Sequence, residues 1–259
     1  MSDIVKVTID FEALETKIFR MYSGAFVRGF VYWVLRRLDR TFAEKLHSSK
    51  NLSPFSVTPV MHKEIPVDRL EEGKKYSFSI TFFVPEIGEA LKNYLVSADS
   101  IYFTAVNNPL RKVTVKYCDE DSFFSDSPEK FSVDFISPCF FRIPSNDYRF
   151  IPLPLPNLMF RSLARLYSAF ISEIPSDYRD WLDENGITVS GLKIETEKVM
   201  LRKGKWAVGF KGIVNFSFPD DTYREDYAKI TAKLLNFGEY SNVGGGRTSG
   251  LGVMRIRRL

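Results

Sequence analysis

The spacing of apolar residues changes along the chain, and each change marks an element. Val5-Lys6-Val7-Thr8-Ile9-Asp10 alternates with period two, the mark of a half-buried strand. After Gly24, apolar residues recur at Phe26, Phe30, Val34 and Leu38, then at Phe42 and Leu46, an i,i+4 stripe expected of a helix. Arg28, Arg36, Arg37 and Arg40 lie off that stripe. Asp39 suits the N-cap of a second short helix through Lys45, so a break is expected between Leu38 and Thr41. Pro54 opens an extended stretch, Phe55–Met61, and Tyr76–Val84 is a strand rich in aromatic and β-branched residues. Pro85 suits a first helical position, with apolar residues at helical spacing through Glu86–Ser97. Ile101–Ala105 and Val113–Tyr117 are further strands, which completes a strand, helix, strand, strand, helix, strand order, the ferredoxin-like plan.

Asp119–Glu129 is acidic and turn-rich, and is the best candidate linker. Beyond it, Phe131–Phe141 is extended, Asn157–Glu173 and Ser176–Glu184 read as helices, and Gly191–Arg202 and Lys205–Phe218 as strands joined at Lys203-Gly204. Asp220–Leu235 reads as a helix followed by Gly238, and Val253–Arg257 as a last strand. A second unit of the same plan, decorated by extra helices, fits this order less cleanly than the first. The expected class is therefore α+β, with two tandem ferredoxin-like (βαββαβ) domains over residues 1–120 and 128–259 and a C-terminal glycine-rich loop.

Composition narrows the function classes. The chain has 259 residues, 44% hydrophobic and 26% charged, enough apolar material for one large or two modest cores. No apolar run is long enough to span a membrane and the start lacks the form of a signal peptide, so a cytoplasmic protein with no membrane partner is expected. Cys118 and Cys139 are the two cysteines and read as inert buried thiols. Glutamine is absent while charged residues abound, a tendency of hyperthermophile proteins. The net charge of +4 is uneven: residues 1–50 hold 9 basic and 6 acidic side chains, residues 193–259 hold 13 and 7, and the middle is acidic. A surface for a polyanion would draw on the two ends of the chain; a merely solvated face would look the same in sequence.

The chemistry-bearing segments are few. Gly244-Gly245-Gly246-Arg247-Thr248-Ser249-Gly250-Leu251-Gly252 packs five glycines into nine residues. Backbone amides of such a loop can approach phosphates closely, and so many glycines imply that a ligand or another chain passes near. The plain alternative is a turn leading into the last strand. No Gly-Lys-Ser/Thr closes the loop, and Ser249 stands where a dinucleotide fingerprint needs glycine. Histidine occurs only at His47 and His62. His47, beside Ser48, Ser49 and Lys50, suits proton transfer near neutrality, against the alternative of a surface histidine at a helix end. His62 reads as ordinary. No spacing suggests a metal site or a cofactor, and carboxylates are scattered. Aromatic and basic residues interleave at Tyr22, Phe26, Arg28, Tyr32, Trp33, Arg36 and Arg37, and again at Lys203, Lys205, Trp206 and Lys211. That mixture suits bases stacked on rings with phosphates paired to cations.

Two separated motifs together resemble a family. Gly29-Phe30-Val31-Tyr32-Trp33, with Leu46-His47 and Pro54-Phe55-Ser56-Val57 after it, and the C-terminal glycine-rich loop are similar to the CRISPR repeat-processing endoribonucleases of the RAMP superfamily. The resemblance implies two tandem ferredoxin-like domains that bind CRISPR repeat RNA in precursor transcripts. It also implies a metal-independent cut, in which a ribose 2′-OH attacks the adjacent phosphate to leave a 2′,3′-cyclic phosphate and a 5′-OH. Such a cut needs a base, an acid and a cation for the charge gathering on phosphorus. His47 matches the family's histidine and Tyr32 its tyrosine; Lys50, or by spacing Ser53, stands where a lysine assists. Arg36, Arg37, Lys203, Lys205, Arg247, Thr248, Ser249 and the backbone of Gly244, Gly245, Gly246, Gly250 and Gly252 are the candidate RNA contacts. The competing readings are a non-catalytic RNA-binding subunit of a CRISPR effector complex and an unrelated binding module. Either monomer or homodimer is compatible with the many phenylalanines. One geometric condition stands apart from the resemblance: in a single straight helix Tyr32 and His47 would lie about 22 Å apart, fifteen rises of 1.5 Å, so both can serve one phosphate only if the chain turns between them.

Overall fold

The period-two pattern of the first strand divides β1 (Ile4–Glu12) cleanly: Val5, Val7, Ile9 and Phe11 are buried, while Lys6, Thr8, Asp10 and Glu12 are half-buried on the other face. The structure is a computed structural model that describes residues 4–41, 43–44, 52–123, 129–143 and 146–257. These fall into two units. The first comprises Met1–Cys118 with Met200–Lys205 and Thr248–Gly250, and the second Asp119–Val199, Trp206–Arg247 and Leu251–Leu259.

In the first unit, β1 is followed by β2 (Lys17–Ile18), α1 (Ser23–Leu38), β3 (Phe55–Val57), β4 (Met61–His62), β5 (Ile65–Pro66), β6 (Arg69–Leu70), β7 (Lys75–Phe82), α2 (Pro85–Val96), β8 (Ser100–Phe103) and β9 (Val106–Cys118). Among the described residues, the main sheet runs β5-β4-β7-β1-β9-β8, with β3 also paired to β7. Its central strands β4, β7, β1 and β9 lie in the antiparallel order of the ferredoxin-like plan. The expected plan is therefore present, with extra edge strands. Phe11, Phe30, Phe78 and Phe103 meet at ring-centroid distances of 5.2–6.3 Å and form the middle of the core.

Local expectations are corrected or refined at three points. The buried face of α1 is Val27, Phe30, Val31, Val34 and Leu35, whereas Leu38 is exposed. A strict i,i+4 series advances 400° per step and drifts off the face, so the true stripe alternates steps of three and four. The extended stretch after Pro54 contains two short strands. The strands expected at 101–105 and 113–117 form one hairpin, turning at Thr104 and Ala105, both of which have positive φ (56° and 69°). The break expected after Leu38 is present: Asp39 is extended (φ −152°), and helical residues resume at Arg40.

The second unit is the tidier of the two, contrary to expectation. It contains β10 (Lys130–Cys139), a hairpin of β11 (Phe141–Ile143) and β12 (Asn146–Ile151), α3 (Pro156–Phe170), α4 (Asp177–Asp183), β13 (Thr188–Arg202), β14 (Lys205–Ser217), α5 (Glu225–Ser241) and β15 (Met254–Arg257). Among the described residues its sheet has four strands, β13-β14-β10-β15, the same ferredoxin-like order. The tip of the β13–β14 hairpin groups with the first unit. Helix α5 starts five residues later than its acidic onset suggests and runs through Gly238, where a Cβ would lie 2.8 Å from the Met254 sulfur. The acidic stretch after Cys118 is not free chain in its first part. Glu120–Phe123 is a 3-10 turn with Phe123 buried, and the Glu120 carboxylate accepts hydrogen bonds from Ser172 Oγ (2.6 Å), Tyr167 OH (3.1 Å) and Lys233 Nζ (3.1 Å). Cys118 and Cys139 are free and buried; burial pushes the Cys139 thiol far up, which leaves it unreactive.

The three donors on Glu120, Ser172 first, hold its carboxyl below the ordinary glutamate value. A lowered carboxyl stabilises the folded state above its unfolded value, near pH 4.3, and loses that contribution as pH falls through the folded value. Urea midpoints of Glu120→Gln should lie below wild type at pH 7, and the gap should close as pH is lowered past 4.

Candidate nucleic-acid interface

Beside its buried face, helix α1 carries a second stripe that is exposed at Gly29, Arg36 and Arg37 and buried at Tyr32. Ala25, Arg28, Gly29, Tyr32, Trp33, Arg36 and Arg37 follow one another at alternating steps of three and one, and line an open groove of about 550 Å³. A second recess of about 600 Å³ shares Trp33 and Arg37 with it and adds Tyr94, Ser100, Tyr102 and Asn107. Neither lining contains a carboxylate. The Arg37 guanidinium lies 4.0 Å from the centre of the Trp33 ring, and that of Arg28 lies 5.5 Å from the Tyr32 ring. Among the described residues no carboxylate pairs with Arg28, Arg36 or Arg37, whereas Arg40 pairs with Glu44 at 2.9 Å. Arg36 and Arg37 occupy the last turn of α1, where the helix dipole favours cations on its own account.

Of the residues singled out in sequence, Tyr32 is 7% exposed, with its ring edge-on to Phe55 at 5.8 Å. His47 and Lys50 lie outside the described residues. Ser53, by contrast, has a described position just before β3. His62 in β4 donates Nδ1–H to the Lys75 carbonyl at 2.8 Å, because a carbonyl can only accept, and so it serves the sheet. Lys203 and Lys205 are exposed on either side of Gly204, whose φ of +74° makes the hairpin turn. Arg28 and Trp33 figured in sequence only as part of the aromatic–basic interleaving, and Tyr94, Ser100, Tyr102 and Asn107 were not selected at all. Arg28 was legible as a neighbour of Tyr32 one turn away, but Tyr102 and Asn107 come together only through the register of the β8–β9 hairpin.

The glycine-rich loop is built differently from its sequence expectation. What approaches its backbone is the chain itself. A Cβ on Gly252 would sit 1.8 Å from the Val243 carbonyl oxygen, and one on Gly245 would sit 2.4 Å from the Phe140 ring. The amides of Gly244, Gly245 and Gly252 donate to Ser162 Oγ, the Phe140 carbonyl and the Pro138 carbonyl. Arg247–Ser249 forms a 3-10 turn with Ser249 buried and Thr248 half-buried. The Arg247 guanidinium donates to the Ser241 carbonyl, and burial together with the nearby Arg165 charge lowers it to about 10. At pH 7 it is still a cation. Gly250 lies against the backbone of Thr58 and Pro59, and Ser249 against Gly24.

Residues 133–254 match the family model of the CRISPR-associated endoribonuclease Cas6. Over that stretch, a little under half of its sequence, the chain is similar to Cas6. The matched span runs from Val133, inside β10, through the glycine-rich loop to the first residue of β15, and leaves α1 outside it. The Cas6 endoribonuclease of Mycobacterium tuberculosis is 31% identical over 134 residues, 50% of this chain and 40% of that protein. The Cas6 of Streptococcus thermophilus is 27% identical over 129 residues, 49% of this chain and 50% of its own length. The match thus spans half or less of these curated relatives. A Cas6 solved as a product complex shares the fold, with a TM-score of 0.78 at 22% identity over 98% of this chain and 99% of that one.

Two glycines of α1 give opposite predictions. A Cβ on Gly24 would sit 2.1 Å from the Ser249 carbonyl oxygen, whereas one on Gly29 would meet nothing within 4 Å among the described residues. Thermal unfolding of Gly24→Ala should show a loss of about 1–3 kcal/mol from overpacking. Gly29→Ala should gain up to about 1 kcal/mol of helix propensity.

Proposed function

We propose that the protein is an endoribonuclease that cuts precursor CRISPR RNA within its repeats without a metal ion. The observation that carries this reading is the match of residues 133–254 to the Cas6 family model, and the fold supports it across nearly the whole chain. In this reading His47 moves a proton, as the base that takes it from the ribose 2′-OH or the acid that gives one to the leaving 5′-oxygen. Tyr32 positions the reacting phosphate, and Lys50 or a neighbouring cation balances the charge that gathers on phosphorus. The attack forms a bond from O2′ to phosphorus and breaks that to O5′, leaving a 2′,3′-cyclic phosphate and a 5′-OH. The extended backbone at Asp39 supports the pairing of Tyr32 with His47, because a straight helix would hold them about 22 Å apart.

RNA would be held by Arg36, Arg37, Lys203 and Lys205, cations that reach phosphates without reading sequence. In the loop Gly244–Gly252 the first two amides and the last two are engaged within the chain, so its donors for RNA fall to residues 246–250, with Arg247.

The test is a cleavage gel with end-labelled host repeat RNA in excess EDTA. Wild type should cut, a 2′-deoxy at the mapped cut should block it, and His47→Ala should slow it about 10²–10⁴-fold with binding kept. Tight binding with no cutting by wild type would assign the protein instead to the RNA-binding subunits of an effector complex.

A further inference from the structure

We propose that the recess between α1 and the β8–β9 hairpin is a stacking site for one unpaired nucleotide of the bound RNA, beside the phosphate that is cut. This rests on the ribonuclease reading above, and it gives that reading residues in a part of the chain the family match leaves out.

The β8–β9 hairpin turns Ile101 and Phe103 into the core and leaves Ser100 and Tyr102 on its other face, with Asn107 directly opposite Tyr102 in the register. Tyr102 is 42% exposed, and its ring centre lies 5.4 Å from that of Trp33 with 32° between the planes. That spacing is too small to admit a base between the two rings, which would need about two contact distances of 3.5–4.0 Å. A base therefore stacks on the outer side of this pair, on the open face of Tyr102 and the guanidinium plane of Arg37. Tyr94 closes one wall, edge-on to Trp33 at 6.4 Å. Ser100 and Asn107 bring a hydroxyl and an amide, which together donate to and accept from a base edge. The volume, about 600 Å³, is in the range of small-ligand sites.

The groove along α1 fits the strand that carries such a base. Arg28, Arg36 and Arg37 flank it, and no carboxylate lines it. Gly29 lies on its floor. Of the chain's 15 glycines, Gly29 alone has neither a positive φ nor, among the described residues, a neighbour that a Cβ would touch. A glycine inside a helix is less stable than alanine, so a site with no internal need for one is explained by an outside backbone that comes close. Phosphates over Gly29, with a base turned into the recess, satisfy both observations. Tyr32 and Trp33 line the same groove, which places this nucleotide next to the phosphate that Tyr32 serves.

The experiment is a set of fluorescence-anisotropy titrations with three RNAs: the host repeat carrying a 2′-deoxy at the cut, and each of the two halves it would yield. Tyr102→Ala should weaken the whole repeat and one half about tenfold, as loss of one base stack does, and leave the other half unchanged. Tyr102→Phe should retain wild-type affinity. Gly29→Ala should bind the whole repeat more weakly although its melting temperature rises, a combination that misfolding cannot produce. If wild type binds the repeat and both alanine variants match it on all three RNAs, the site is overturned and the face belongs to a protein partner instead. Equal weakening of both halves would also overturn it. If wild type binds no repeat RNA, the ribonuclease reading falls and this site with it.

Discussion

Where α1 begins, Gly24 and the backbone of Ser249 and Gly250 come too close for any side chain to stand between them. The same end of the helix receives two other distant segments. Ser23 Oγ accepts the Val60 amide at 3.2 Å, and the Tyr22 amide donates to the Met200 carbonyl at 2.8 Å. No side chain caps this helix and no acidic residue lies in its first turn, so its start is held by surrounding backbone rather than by local capping chemistry. Each such hydrogen bond contributes only about 1 kcal/mol. Their effect is geometric: they set where α1 starts, and hence which way its later residues face.

With the start fixed, two faces of the helix answer to different demands. Val27, Phe30, Val31, Val34 and Leu35 fill the space over β7 and β8, where an error of one methylene is felt throughout a packed core. The other stripe carries the guanidiniums of Arg28, Arg36 and Arg37, which the core does not require, beside the rings of Tyr32 and Trp33, which pack into it. Arg36 and Arg37 have an ordinary reason to be there, the favourable end of the helix dipole. Arg28 is too far from that end to share it, and Gly29 works against the helix. It is the pair Arg28 and Gly29, more than the two terminal arginines, that marks the stripe as built for something outside the chain.

Period-two alternation made β1 legible, a proline at a first helical position made α2 legible, and Asp39 marked the break after α1. Lys203-Gly204 was readable as a turn because glycine supplies the positive φ. Thr104 and Ala105 make the corresponding turn of β8–β9 without glycine or asparagine, so nothing local announced that hairpin. The consequence reached the candidate site. Tyr102 and Asn107 are unremarkable until register sets them opposite each other, and register is a property of two strands together. The late start of α5 is of the same kind: Asp220 and Asp221 suit a turn as well as a helix onset, and packing decides between them.

The glycines show most clearly how composition and structure divide the argument. In sequence, five glycines in nine residues made the C-terminal loop the candidate for close approach by a ligand, while Gly29 of α1 stood only as the first residue of a motif. The structure reverses their weight as indicators of an outside ligand. Positions such as Gly245 and Gly252 are explained by Phe140 and Val243, that is, by folding alone. Gly29 is explained by nothing the described chain contains. A residue that serves the fold leaves evidence of its role in its neighbours. A residue that serves a ligand is recognised when that evidence is missing and the cost to the fold remains, and in this molecule the criterion selects the outward face of α1.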